Sequence, residues 1–263
     1  MSYEFTIIVP VYNEEDNLIR VEQELGDYLK IATKKTKILF VNDGSKDNTL
    51  KILTKIKSNF PNNVVVISSE KNSGKAESVR TGIINCNTNF NFKKIAYLDA
   101  DLATTLDECL TISKHVNSEI VLAFGSRISK IDNNIDRNII RHFIGRIIAT
   151  FISNQLNLAI YDTQCGCKIF EKELSEKIFS EKFISKWLFD VEIFIRVRKH
   201  YGLQKAKQIL CEKPLKRWIH ADGSKLSMKD SIKIMGQLAQ IAWVYRNKKY
   251  AVKKSVDVKL EVV

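Results

Sequence analysis

The stretch Ala96-Tyr97-Leu98-Asp99-Ala100-Asp101-Leu102 joins an apolar run to two aspartates that are one residue apart. Such a run predicts a buried strand that leaves the core and presents both carboxylates at its C-terminal end. Two adjacent carboxylates repel each other unless a cation lies between them, and a hard divalent ion takes oxygen ligands while keeping positions open for substrate phosphates. An alternative interpretation is that the pair caps the helix predicted from about Thr105.

Four other apolar runs of similar length predict further buried strands, and amphipathic stretches between them predict helices. These runs are Phe5–Val11, Thr36–Val41, Val64–Ser68 and Glu119–Gly125. The alternation predicts an α/β fold with a mainly parallel sheet and helices on both faces. Ligands of such sheets bind outside the carboxyl ends of the strands. The polar turns at those ends are therefore predicted to bring together Glu14, Asp43, Lys75, Asp99 and Asp101.

The composition indicates a folded, basic protein of 263 residues. Forty-two Lys and Arg against 30 Asp and Glu give a net charge of +12, which favours anionic partners such as nucleic acid, anionic lipid or phosphorylated small molecules. No apolar run reaches the roughly 18 residues needed to span a bilayer, and no secretory signal is evident, so a cytoplasmic location is expected. The five scattered cysteines are typical of free thiols in a reducing compartment.

Three later segments leave their roles open. A helical run from Asp136 carries Arg141 on a basic face, which fits either an ordinary surface helix or a helix lying on anionic lipid. Asp190 and Glu192 lie in a mostly apolar stretch, where carboxylates need either a structural partner, such as Arg196 or Arg198, or a chemical task. The basic segment Lys213–Ser227 is interpreted as a lid over a phosphate or as a solvated loop, and Met228–Tyr245 as an amphipathic helix suited to a membrane surface.

Taken in order, these motifs resemble the family 2 glycosyltransferases of the GT-A fold, in particular the branch of dolichyl-phosphate glucosyltransferases and polyprenyl-phosphate sugar synthases. The resemblance runs from about Phe5 to Ser227. It implies that the Val9–Glu14 and Val41–Ser45 runs hold the nucleotide and that Asp99 and Asp101 bind Mg²⁺ or Mn²⁺ with the diphosphate. With the convergence predicted above, the donor site comprises Pro10, Tyr12, Glu14, Val41, Asp43, Lys75, Asp99, Ala100 and Asp101.

The resemblance also implies an acceptor site for a lipid phosphate. Arg127 and Arg141 are similar to the arginines that hold the acceptor phosphate, and Arg217 and Lys225 are further candidates because a phosphate needs cations to hold it. The run Asp162–Phe170 is close to that of the glucosyl branch. Mannosyl-phosphate synthases often carry a metal-contacting Gln where this chain has Ala103, which favours glucose over mannose.

The sequence therefore predicts an inverting, metal-dependent transferase that moves a hexose, with glucose from UDP-glucose the preferred choice, to a polyprenyl or dolichyl phosphate at the cytoplasmic face of a membrane. The catalytic candidates are Asp99, Asp101, Asp190 and Glu192. One alternative is transfer to a hydroxyl of a surface glycan, which would need Asp190 or Glu192 as a base. Another is a non-catalytic basic module that binds nucleotide or membrane. Nucleic acid is not expected as a partner, because no aromatic and basic RNA-binding signature is present.

The predicted domain limits follow the same boundaries. Residues 1–227 form the glycosyltransferase domain, and residues 228–250 form a basic amphipathic helix that belongs to this domain or lies on a membrane. Residues 251–263 form a flexible tail.

Overall fold

The computed structural model describes residues 2–31, 35–128, 150–216, 228–247 and 261–262. The strands are β1 (Ser2–Val11), β2 (Thr36–Asn42), β3 (Val64–Ser68), β4 (Asn91–Leu98), β5 (Leu122–Ser126), β6 (Cys167–Glu171), β7 (Leu210–Pro214) and β8 (Glu261–Val262). The helices are α1 (Glu15–Ile31), α2 (Thr49–Asn59), α3 (Lys75–Asn89), α4 (Leu106–Ser113), α5 (Lys172–Ile178), α6 (Phe189–Tyr201), α7 (Leu203–Ile209) and α8 (Met228–Asn247). Residues 150–156 are also helical.

The strands form one sheet in the order β7-β5-β6-β4-β1-β2-β3-β8. Strands β1 to β4 are parallel to one another, and β5 is parallel to β7. The antiparallel members are β6, which lies between β4 and β5, and the two-residue β8 beside β3. The predicted mainly parallel sheet is confirmed, and the carboxyl ends of β1, β2 and β4 lie at one edge of it.

Helices cover both faces of the sheet because the strand residues alternate between two cores. Ile8 and Leu39 pack in one core with α3, α6 and α8, whereas Ile7 and Phe40 pack in the other with α1, α2 and α4. All four side chains are at most 1% exposed. A strand that is buried on both faces has a continuous apolar sequence, which is why β1 and β2 were recognisable from the sequence.

Two predicted boundaries were wrong, each for a local reason. The strand predicted from Glu119 begins at Leu122, because the Asn117 side chain accepts hydrogen bonds from the amides of Glu119 (2.8 Å) and Ile120 (3.0 Å) and holds them in a turn. The basic segment predicted as a loop from Lys213 begins as strand, since β7 pairs with β5 as far as Pro214.

Helix α8 packs against the core rather than standing apart from it. Its apolar side chains Ile234, Leu238 and Ile241 are at most 5% exposed, and Tyr245 makes buried hydrogen bonds to α6. None of the helices in the described ranges combines the length and apolarity that a membrane span requires. The predicted arginine-bearing helix from Asp136 lies outside those ranges up to residue 149, as does most of the predicted tail.

Candidate active site

Asp99 and Asp101 follow β4 at the carboxyl edge of the sheet. The Asp99 amide donates to the Gly166 carbonyl (3.1 Å), and Asp101 Oδ1 accepts from the Ala103 amide (3.0 Å). The cap of α4 is Thr105, whose side chain accepts from the Glu108 amide (3.2 Å). Because a threonine caps this helix, the two carboxylates are not used as its cap.

A third carboxylate, that of Glu14, shares this region. Burial raises the pKa of Glu14, and the charges of Asp101 and Asp99 raise it further. Burial likewise raises the pKa of Asp101, and the charge of Asp99 adds to the effect. Mutual repulsion of this kind is what a cation would relieve.

Lys75 faces the same carboxylates from the first turn of α3. Its Nζ forms an ion pair with Asp99 Oδ1 at 2.6 Å. Burial alone would lower the pKa of Lys75, but the charges of Asp99 and then Asp190 raise it. Lys75 is therefore a cation held among three acids, with Asp101 the third.

Asp43 fixes the loop that leads to Lys75. Its Oδ1 accepts from the amide and hydroxyl of Ser73, both at 2.8 Å, and its Oδ2 accepts from the Gly74 amide at 2.7 Å. The side chain is 3% exposed. Asp43 therefore has a structural role, which is to hold the loop before α3. Its contact with the nucleotide-sugar donor stays a prediction.

The turns that follow β1 and β2 are joined to each other. The Asn13 amide donates to Ser45 Oγ (3.0 Å), and Asn13 Oδ1 accepts from the Lys46 amide (2.9 Å). Of the remaining predicted donor residues, Pro10 lies opposite Val41 in the β1–β2 register, Tyr12 follows β1 with 40% exposure, and the buried Ala100 follows β4. The turns after β1 and β2 therefore form one hydrogen-bonded unit beside the aspartate pair.

Arg127 is held by a residue that the sequence analysis did not assign. Its Nε and one terminal nitrogen donate to the two carboxylate oxygens of Asp162 at 2.6 and 2.9 Å, and its amide donates to the same side chain. Burial alone would raise the pKa of Asp162, but Arg127 lowers it. The Arg127 side chain remains 33% exposed, so the guanidinium is oriented by Asp162 without being enclosed.

Residues 162–166, here called the 162–166 turn, connect Arg127 to the aspartate pair. At one end Asp162 binds Arg127, and at the other the Gly166 carbonyl binds the Asp99 amide. Glu212 of β7 anchors the turn by accepting from the amides of Tyr161 (2.9 Å) and Asp162 (2.8 Å). The run Asp162–Phe170 is recognisable in the sequence, but its residue types do not indicate which side chains it contacts.

The carboxylates of Asp190 and Glu192, both on α6, have different hydrogen-bond partners. Asp190 is 3% exposed, and its Oδ1 accepts from Lys168 Nζ (2.5 Å) and from the Tyr97 hydroxyl. Its charge raises the pKa of Lys75, after the larger effect of Asp99. The catalytic role predicted for Asp190 stays a prediction.

Glu192 is fully buried and held by groups of the protein. It accepts from the amides of Ile184 and Ser185 and from the Tyr245 hydroxyl at 2.8 to 3.1 Å, with Arg196 at 4.0 Å. These contacts fit the structural alternative considered for it, and a catalytic role for Glu192 also stays a prediction. Of the predicted acceptor residues, Arg141, Arg217 and Lys225 lie outside the described residues.

The donor set at this edge fits a hard divalent cation. In the described part of the chain no group of three or more His, Cys, Asp and Glu is arranged to hold a metal, so the predicted ligands Asp99 and Asp101 would need further oxygens to complete a site. Their carboxylate oxygens, and the repulsion among Glu14, Asp99 and Asp101, suit Mg²⁺ or Mn²⁺, whose other positions substrate phosphates would fill.

Comparison with known proteins defines the class. Residues 6–179 match Glycosyl transferase family 2, and the chain belongs to this family. It is a glycosyltransferase with the GT-A fold. It is 30% identical over 255 residues to a dolichyl-phosphate beta-glucosyltransferase of Trichomonas vaginalis, covering 93% of this chain and 75% of that protein. It is also 30% identical over 236 residues to the dolichyl-phosphate beta-glucosyltransferase of Homo sapiens, covering 85% and 69%.

The fold is shared with solved structures of low sequence identity. Glucosyl-3-phosphoglycerate synthase from Mycobacterium tuberculosis, in complex with Mn²⁺, UDP and glucosyl-3-phosphoglycerate, superposes with a TM-score of 0.64 at 14% identity. The match covers 92% of this chain and 80% of that one. At this identity the likeness establishes the fold.

Proposed function

We propose that this protein transfers glucose from UDP-glucose to a polyprenyl or dolichyl phosphate with inversion at the anomeric carbon. The observation that carries the proposal is the 162–166 turn, which links an acid pair suited to a metal and a diphosphate with an arginine suited to a phosphate. The relatives named dolichyl-phosphate beta-glucosyltransferase support this choice of sugar and acceptor. UDP is the nucleotide present in the mycobacterial synthase complex, which supports the choice of a uridine donor.

The donor would bind along the carboxyl edge of β1, β2 and β4. Asp99 and Asp101 would hold Mg²⁺ or Mn²⁺, which when bound neutralises charge that develops on the leaving diphosphate. Lys75 lies beside these acids and supplies a second positive charge to the phosphates. The joined turns after β1 and β2, with Tyr12 exposed between them, offer a surface for the base and ribose.

The acceptor would need orientation more than activation. A phosphate monoester has a second pKa of about 6, so its oxygen is already anionic at neutral pH and requires no general base. The guanidinium of Arg127 is planar and charged, a form suited to phosphate oxygens. Asp162 holds that plane in place, and attack from the side opposite the leaving group would give a β-linked sugar phosphate from an α-linked donor.

We also propose that the protein works at the cytoplasmic face of a membrane. Its charge of +12 favours anionic lipid, and two large apolar side chains, Trp243 on α8 and Phe151, are 69% and 53% exposed. Such contact would be peripheral.

Mass spectrometry tests the proposed reaction. Purified protein is incubated with Mn²⁺ or Mg²⁺, a panel of nucleotide sugars, and either short polyprenyl phosphates or sugars that offer only hydroxyl acceptors. We expect a new glucosyl-lipid mass with UDP-glucose and polyprenyl phosphate, and the β configuration by NMR. Product only with hydroxyl acceptors, or none with any donor, would contradict the proposal.

Arg127→Lys tests the acceptor site. The lysine keeps the charge but loses the planar guanidinium and its paired hydrogen bonds to Asp162, so we expect kcat/KM for polyprenyl phosphate to fall about 10- to 100-fold, with UDP affinity unchanged. Arg198→Lys is the matched control, because Arg198 donates to the carbonyls of Gln155 (3.0 Å) and Leu156 (2.7 Å). Loss of UDP affinity with an unchanged acceptor KM would remove Arg127 from the acceptor site.

A further inference from the structure

Gln164 lies in the middle of the 162–166 turn, between the residues proposed to bind the two substrates. Asp162 Oδ1 accepts from the Gln164 amide at 3.1 Å and from Arg127 at 2.9 Å, which places the Gln164 backbone beside the guanidinium. Two residues further on, the Gly166 carbonyl accepts from the Asp99 amide. Gln164 is therefore located where donor and acceptor would meet.

The side-chain nitrogen of Gln164 is buried and donates to no other described residue. Buried polar groups in folded proteins nearly all have partners, because an unpaired one has lost its water without compensation. The hydroxyls of Thr6 and Ser126 are also buried without a partner among the described residues, but both residues are 0% exposed and cannot reach a ligand. Gln164 differs from them because the residue is only partly buried and lies on the turn that binds Arg127 and Asp99, so its unpaired donor points to a substrate.

We propose that Gln164 is a substrate-binding residue whose side-chain amide donates a hydrogen bond to a substrate oxygen. This inference rests on the proposed function. The oxygen belongs either to a hydroxyl of the transferred hexose or to the acceptor phosphate, since both are hydrogen-bond acceptors and both would lie near the turn. An amide donor carries no charge, so its contribution is to position the substrate and to select it.

Gln164→Met separates a substrate contact from a structural one. Methionine has a similar length and no donor, so a side chain that binds only substrate can be replaced without loss of stability. We expect the thermal unfolding midpoint to match or exceed that of the wild type, while kcat/KM for transfer falls about tenfold. A rise in KM for UDP-glucose assigns the contact to the hexose, and a rise in KM for polyprenyl phosphate assigns it to the acceptor.

Thr6→Val is the matched control. Thr6 Oγ1 is also buried without a partner in the described residues, but Thr6 lies within β1 between Lys37 of β2 and Ile95 of β4, away from the strand ends. Replacing this hydroxyl should leave both the unfolding midpoint and the kinetic constants at wild-type values. If Gln164→Met does not fold, Gln164→Leu removes the donor without adding a charge, and its activity is expressed per folded molecule.

The proposal is overturned if either variant of Gln164 has wild-type kinetic constants, or if activity falls only in proportion to the folded fraction. Wild-type protein is assayed first, so that failure of the proposed reaction is seen separately. If the wild type transfers no sugar, the affinities for UDP-glucose and for a short polyprenyl phosphate are measured by calorimetry. Weaker binding of one of them by Gln164→Met supports the contact, and unchanged binding of both overturns it.

Discussion

Gly166→Ala is expected to reduce sugar transfer at least about 100-fold, because the added methyl group occupies the position of the Asp99 carboxylate. A Cβ built on Gly166 lies 2.1 Å from Asp99 Oδ2 and 2.3 Å from its Cγ, which is far inside van der Waals contact. The turn has little room to retreat, since the Gly166 carbonyl is bound to the Asp99 amide and Glu212 anchors the other end. The carboxylate must therefore rotate away from the metal position.

The measurement is the transfer rate of purified Gly166→Ala, with Gly236→Ala as the matched control. Gly236 lies in helix α8, and a Cβ there meets nothing within 4 Å. The control should keep wild-type activity and gain up to about 1 kcal/mol of stability from the higher helix propensity of alanine. Wild-type activity in a folded Gly166→Ala protein would show that the Asp99 carboxylate is not required where the structure places it.

Lys168→Met is expected to lower the free energy of unfolding by about 3–5 kcal/mol, because it leaves the Asp190 carboxylate buried without its cation. The side chains of Lys168 and Asp190 are 0% and 5% exposed, and their charged atoms are 2.5 Å apart. Lys168 also donates to the Cys165 carbonyl at 2.8 Å, so the ammonium connects β6, α6 and the 162–166 turn.

Urea unfolding measures this loss. Lys172→Met is the control, because Lys172 and Glu176 form a partly exposed pair at 3.9 Å, whose removal should cost about 0.5 kcal/mol or less. A double variant, Lys168→Met with Asp190→Leu, should recover much of the stability, since an apolar replacement of a buried pair is often close to neutral. A loss of less than about 1 kcal/mol in Lys168→Met would mean that water or another group compensates Asp190.

The sequence was sufficient for the sheet and for the proximity of the acids that we propose bind the donor. Runs such as Ile7 to Val9 are buried on both faces, so their apolar character is continuous and local. Glu14, Asp99 and Asp101 follow parallel strands, and parallel strands end at the same edge. Their proximity therefore follows from topology, and it adds to the effect of burial in raising the pKa values of Glu14 and Asp101.

The pairings inside and beneath the site could not be predicted in the same way. Arg127 and Asp162 are 35 residues apart, and Lys168 and Asp190 are 22 apart. No periodicity relates such residues, and each has several possible partners of opposite charge. The choice depends on the antiparallel insertion of β6 between β4 and β5, a crossover that the local pattern does not specify. The partners of Glu192 could not be predicted either, since the amides that it binds lie in a loop without a recognisable motif.

The central claim is that the aspartate pair after β4 holds the metal and diphosphate of a nucleotide sugar beside Arg127. A crystal structure of the protein with Mn²⁺ and UDP, with anomalous scattering used to locate manganese, tests it most directly. The account predicts a manganese peak in contact with Asp99 and Asp101, with the diphosphate within reach of Lys75. Manganese and UDP bound elsewhere, or this edge of the sheet empty under saturating ligand, would contradict it.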